Sequence, residues 1–200
     1  MANMLRATLL VLLFLSAPLG AEDLPGFTIT PPDGGHWHEV QRNATSVVWM
    51  RRTTDRDTSF GAAVLSSRLS TRFDDDGFLD WVNRSKSANP DPRRFEIIES
   101  GYAADAEKTA RCIRYRTVIE DRTLGTLLRV AGLACLHPDD AQRFFDVQYS
   151  ARYPAGVTPA DDLIAEGDAF LESFHFTPPP ADGDWSMGSG ARMDNRKDAA

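Results

Sequence analysis

"CIRYRTVIEDRTLGTLLRVAGLAC", residues 112–135, is the stretch that decides the fold. Two runs of strand-forming residues flank the polar turn from Glu120 to Gly125, which is the pattern of a β-hairpin. The midpoint between the two cysteines falls between Thr123 and Leu124, inside that turn. A hairpin centred there sets Cys112 opposite Cys135, Arg114 opposite Leu133, Arg116 opposite Ala131 and Val118 opposite Arg129. The other face then pairs Ile113, Tyr115, Thr117 and Ile119 with Ala134, Gly132, Val130 and Leu128. Directly opposed residues of antiparallel strands have Cα spacings that suit a disulfide. The spacing therefore predicts a Cys112–Cys135 bridge on the more polar side of the hairpin, stapling two strands rather than filling the core. One inserted residue would flip every side chain beyond it, so the expected register tolerates no bulge.

The hairpin belongs to a longer meander. "RFEIIESGYA" (94–103) precedes it and "RFFDVQYSARY" (143–153) follows it. In the latter, Phe145, Val147, Tyr149 and Ala151 point one way and Asp146, Gln148, Ser150 and Arg152 the other, a strand with one buried face. Upstream, "TSVVWMRR" (45–52) and "FGAAVLSSRLS" (60–70) read as two strands joined by a polar turn. Phe27 to Thr30 forms a short strand stopped by Pro31-Pro32. Two segments change period. After Asp74-Asp75-Asp76, Phe78, Trp81, Val82 and Ser85 recur at helical spacing, with acidic residues where a helix start favours them. "NPDP" (89–92) ends that helix. Thr158-Pro159 opens a second helix, with Leu163, Ile164, Gly167, Phe170, Leu171 and Phe174 as its apolar stripe. The expected class is α+β: an antiparallel sheet of about six to seven strands flanked by two helices.

Residues 1–21 stand apart. Arg6 precedes the apolar run "ATLLVLLFLSA", which is short for a membrane span, and small residues follow before Glu22. This is the layout of a bacterial secretory signal peptide, so the mature protein is expected to be periplasmic or secreted, meeting the membrane only if the leader stays attached. The expected organisation is a leader over 1–21, one α+β domain over 22–177, and a disordered tail over 178–200, which is rich in Pro, Gly and Asp and lacks periodicity. The chain has 22 basic and 29 acidic residues, and removing the leader takes away only Arg6. A mature chain this acidic, with no basic stripe carrying interleaved aromatics, is a poor nucleic-acid binder.

Chemistry is sparse. Cys112 and Cys135 are the only cysteines, and neither has the close second cysteine of a zinc site. An oxidising compartment favours the disulfide over a catalytic thiol. His36 and His38 would share one side of a strand and need a third ligand to hold a metal; solvent-facing histidines beside an inward Trp37 are the simpler reading. Asp74-Asp75-Asp76-Gly77 lacks the spaced ligands of a calcium loop, and a helix start explains it. No nucleophile elbow, phosphate loop or dinucleotide fingerprint is present. No catalytic, cofactor or metal residue is therefore assigned. The one place for a general base is His137, next to Asp139 and Asp140.

Pro31, Pro32, Gly34 and Trp37 form a "PP-x-G-x-x-W" opening. Cys135, His137 and Pro138 form "C-x-H-P", and Tyr149, Ser150 and Arg152 form "YS-x-R". With this order of elements, residues 26 to 177 resemble the PsbP-like fold, and more closely an uncharacterised family of secreted bacterial proteins carrying those elements. The resemblance implies an antiparallel sheet flanked by helices and a non-catalytic binding or assembly role, although fold does not fix function. The expectation is a periplasmic protein that binds a partner protein or an envelope component without cofactor or catalysis. Two alternatives stand beside it: an envelope hydrolase with its site around His137, and an immunity-type protein that blocks a periplasmic toxin.

Overall fold

The hairpin is built from β7 (Cys112–Asp121) and β8 (Thr126–His137), with Cys112 opposite Cys135 and no register shift between them. Gly125 closes the turn at φ 64°, a left-handed conformation that favours glycine. The Asp121 carboxylate accepts from the backbone N–H groups of Thr123 and Leu124 and from the Arg94 guanidinium at 2.7 and 3.1 Å. The Arg94 hydrogen bonds are the main reason this carboxyl lies below its ordinary value.

This computed structural model describes residues 22–32, 36–53, 57–89, 91–105, 111–157 and 161–187. The proposed leader, the Thr158-Pro159 helix start and the last part of the proposed tail lie outside them. The protein is α+β, as its periodicities indicate. A seven-stranded antiparallel sheet has the order β3-β4-β5-β9-β8-β7-β6. Its strands are β3 (Trp37–Asn43), β4 (Ser46–Arg52), β5 (Ser59–Arg68), β6 (Phe95–Ala104), β7, β8 and β9 (Asp140–Pro154). Two meanders thus meet where β9 returns to pair with β5. A small second sheet orders β1 (Glu22–Leu24), β2 (Phe27–Ile29) and β10 (His175–Phe176) as β1-β2-β10. Both edges of the large sheet carry a bulge, between Glu39 and Gln41 in β3 and between Ile97 and Glu99 in β6. A bulged edge is a poor template for adding a further strand.

The helices cover opposite faces. Helix α1 (Asp75–Ser87) starts at Asp74, whose side chain accepts from the Gly77 N–H, and its last turn carries Arg84 and Lys86. It buries Phe78 and Val82 against Ile113, Tyr115, Ala134, Leu136 and Phe144. Helix α2 (Asp161–Glu172) and the small sheet cover the other face. There Phe27, Ile29, Phe170, Leu171 and Phe174 pack on Val47, Val64, Leu133, Phe145 and Val147.

Three expectations need correction. Cys112 and Cys135 are bonded to each other, but at 3% and 0% exposure they lie inside the main core, not on a polar staple. The arginines that made this face look polar lie further along the strands, and α2 with the small sheet covers the cysteine end. Second, the face of β9 read as solvent-exposed is also used, since Phe144 and Asp146 are buried beneath α1. Third, order does not stop at 177. Trp185 packs so closely over Gly26 (φ 82°) that a β-carbon there would collide with its ring. Met187 is buried, and its N–H donates to the Ala44 carbonyl at 3.1 Å. Apolar residues separated by Gly and Asp give no period to read, yet two large side chains suffice to dock an extended segment.

Candidate functional site

Helix α2 lies close against the sheet where Gly167 faces Tyr149; a β-carbon on Gly167 would come within 2.7 Å of the Tyr149 ring. Beside that contact the helix and strands β7–β9 leave a cleft of about 100 Å³, open to solvent. Its floor is two cross-strand rows. One runs Glu99, Val118, Arg129, Ala151; the next runs through Arg116, Ala131 and Tyr149. Ile164, Gly167 and Asp168 of α2 form the roof. Small side chains at Ala131, Ala151 and Gly167 leave the space, and Val118 and Ile164 make much of it apolar. Ile164 is 36% exposed although the apolar stripe predicts it inward, because at this point the helix spans a gap rather than a packed floor.

The helix is held over the cleft by charge. The Glu166 carboxylate accepts from Trp37 Nε1 at 2.9 Å and from the Tyr149 hydroxyl at 2.8 Å, with the Arg51 guanidinium at 3.6 Å. Arg116 pairs with Asp168 at 3.5 Å, and Arg114 bridges Asp105 at 3.0 Å and Glu172 at 2.5 Å. Burial works against the Arg114 charge, but the two carboxylates outweigh it and hold its pKa above the ordinary value. Two charged groups lining the cleft are different: among the described residues neither Arg129 nor Glu99 makes a hydrogen bond or ion pair. The sequence reading missed this cleft. Its signal was the run of Arg114, Arg116 and Arg129 on one face, matched by Glu166, Asp168 and Glu172 on an acidic helix.

The residues singled out by sequence fall elsewhere. His137 is 1% exposed. Its Nδ1 accepts from the Asp139 N–H at 3.1 Å, and its Nε2 lies 3.0 Å from the Thr177 carbonyl, to which it donates. Phe145, Phe176 and Trp185 surround the ring. A histidine with both nitrogens engaged by backbone and no open side cannot reach a substrate, so the hydrolase reading loses its only candidate. His36 and His38 are exposed and line an open depression with Val40 and Met50, while Trp37 turns inward. Asp74 caps α1, and Asp75 lies 3.5 Å from Arg111. Among the described residues no group of three or more His, Cys, Asp or Glu side chains could hold a metal. Among the same residues no helix is long and apolar enough to cross a membrane.

No family model and no curated protein matches the sequence. Among solved structures, LpqN, involved in cell envelope biogenesis of Mycobacterium tuberculosis, is similar at 17% sequence identity, over 78% of this chain and 87% of LpqN, with a TM-score of 0.51. At that identity the likeness concerns backbone architecture: this chain and LpqN share a fold.

Proposed function

We propose that the protein is an extracytoplasmic, non-catalytic binding protein of the cell envelope, and that the cleft beneath α2 is where it takes its ligand. The observation that carries this reading is the cleft itself, a concave and partly apolar space with a few convergent polar groups, which is the usual form of a ligand site. Several features support the compartment and the role. The leader-like start implies export, and the Cys112–Cys135 bridge suits an oxidising compartment. The fold is shared with a protein involved in envelope biogenesis. The PsbP-like resemblance, with its Trp37 and Cys-x-His-Pro elements, belongs to the same reading.

The test uses protein exported to the periplasm, purified and analysed by native mass spectrometry for retained small molecules after incubation with envelope extract. Ala131→Leu fills the cleft from its floor, and Ile164→Asp places a charge on its roof at an already exposed position. Both variants should keep the wild-type circular dichroism spectrum and lose the retained molecule by about tenfold or more. Equal retention by wild type and both variants overturns the assignment of the cleft. Turnover of an envelope substrate, abolished by a point substitution, overturns the non-catalytic role.

A further inference from the structure

Two opposite charges line this cleft without engaging each other or any other described residue, and they stand in one row of the sheet. Glu99 on β6 is paired with Val118 on β7, which is paired with Arg129 on β8. Every other charged group beside the cleft is occupied: Arg116 by Asp168, and Glu166 above Tyr149 by three donors. Arg129 is half-buried on an interior strand of the sheet and has no ion-pair or hydrogen-bond partner among the described residues. We infer that the cleft binds a small zwitterion with an apolar side chain, an amino acid or very short peptide. Its carboxylate lies on Arg129, its ammonium on Glu99, and its side chain against Val118, Ala131 and Ile164.

Size and spacing agree with such a ligand. Two strand spacings separate the backbones of Glu99 and Arg129, about 10 Å. A free amino acid or dipeptide with a hydrogen bond of about 2.8 Å at each end spans a gap of that order. The cleft of about 100 Å³ falls below the range of roughly 300 Å³ and upward typical for drug-sized ligands, which suits one apolar side chain and not a large body. Guanidinium and carboxylate also match as a bidentate pair. A purely anionic ligand would leave Glu99 facing its charge, and a purely cationic one would meet Arg129.

This inference rests on the assignment of the cleft as the ligand site, and the experiment separates the two. Isothermal titration of the mature wild-type protein with leucine, leucyl-leucine, N-acetyl-leucine and leucinamide tests each charge in turn. Leucine or leucyl-leucine should bind, with N-acetyl-leucine and leucinamide each weaker by about tenfold or more. Which of the two zwitterions binds more tightly sets the length of the ligand. Arg129→Gln should weaken the zwitterion by a similar factor and bring leucinamide level with it. Glu99→Gln should weaken the zwitterion and bring N-acetyl-leucine level with it. Both substitutions lie on partly or fully exposed side chains, so folding is expected to persist. If no zwitterion binds, or if neither substitution alters binding, the inference fails. The cleft assignment still stands in that case if Ala131→Leu and Ile164→Asp abolish retention of an envelope component. If those two variants change nothing, both fail.

Discussion

Asp146→Ala is expected to destabilise the protein by about 3 kcal/mol, measured as a lower denaturant midpoint at unchanged slope. Asp146 is buried, 6% exposed near the middle of β9 beneath α1. Its carboxylate accepts from the Tyr115 hydroxyl at 2.6 Å and from the Lys86 ammonium, which also lies 4.5 Å from the centre of the Tyr115 ring. Removing the carboxylate leaves a buried phenol without an acceptor and an ammonium without a counter-charge. Losing one partner of a buried pair costs about 3–5 kcal/mol, and the lower end applies because the Lys86 side chain is 20% exposed and can turn partly to water. Replacing the whole cluster by apolar groups, Lys86→Met with Tyr115→Phe and Asp146→Leu, should restore most of the loss. A loss under about 0.5 kcal/mol for Asp146→Ala would show that the cluster does not hold α1 to the sheet.

The same cluster gives an alkaline signature. Burial first, then the Asp146 charge and hydrogen bond, push the Tyr115 phenol well above its ordinary value of 10.0. A group whose folded pKa is raised supports folding fully below its unfolded pKa and loses that support as pH rises above it. Stability should therefore decline above pH 10, where the unfolded chain releases a proton that the folded one keeps. Tyr115→Phe should flatten this decline relative to wild type. An unchanged profile above that pH would remove Tyr115 as its source.

What was legible in the sequence was local. Alternation in 143–153 and symmetry of the cysteines about Thr123–Leu124 depend on neighbouring residues, so strand, turn and register could be read directly. The acidic start of α1 was legible for the same reason, since a cap acts within one turn. What was not legible depends on partners distant in the chain. Asp146 looked like a solvent-facing residue because its ligands, Lys86 and Tyr115, lie 60 and 31 residues away. Arg114 and Arg116 made the cysteine face look wet, yet the acids that cover them, Glu172 and Asp168, arrive on a later helix. His137 looked chemically available because nothing in its neighbourhood foretold that Phe176, Thr177 and Trp185 would enclose it. The cleft escaped for a related reason: it is made by small residues, and Ala131, Ala151 and Gly167 reveal a space only once a helix is laid over them.

Removal of the disulfide separates its two possible settings, and the core setting predicts the larger loss. The bridge closes a loop with a sequence separation of 23 residues, worth about 3 kcal/mol in the chain-entropy account of the unfolded state. Cys112→Ala with Cys135→Ala should therefore lower stability by about 3 kcal/mol or somewhat more, since the removed sulfurs also leave space in a packed core. A staple on a wet face would lose the same entropy whether alanine or serine replaced the cysteines. With both positions enclosed by Phe27, Leu133, Phe145 and their neighbours, two serine hydroxyls would be buried among apolar groups. The double serine variant should then fall below the double alanine variant by a further 1–3 kcal/mol or so. The measurement is chemical denaturation of all three proteins, preceded by thiol alkylation and mass analysis of the exported wild type with and without reductant. Alkylation without reductant would mean that the bridge does not form in the exported protein. Equal stability of the serine and alanine variants would place the bridge outside the core. The expected order is wild type, then alanine, then serine, because loop entropy sets the first step and desolvation of the hydroxyls sets the second.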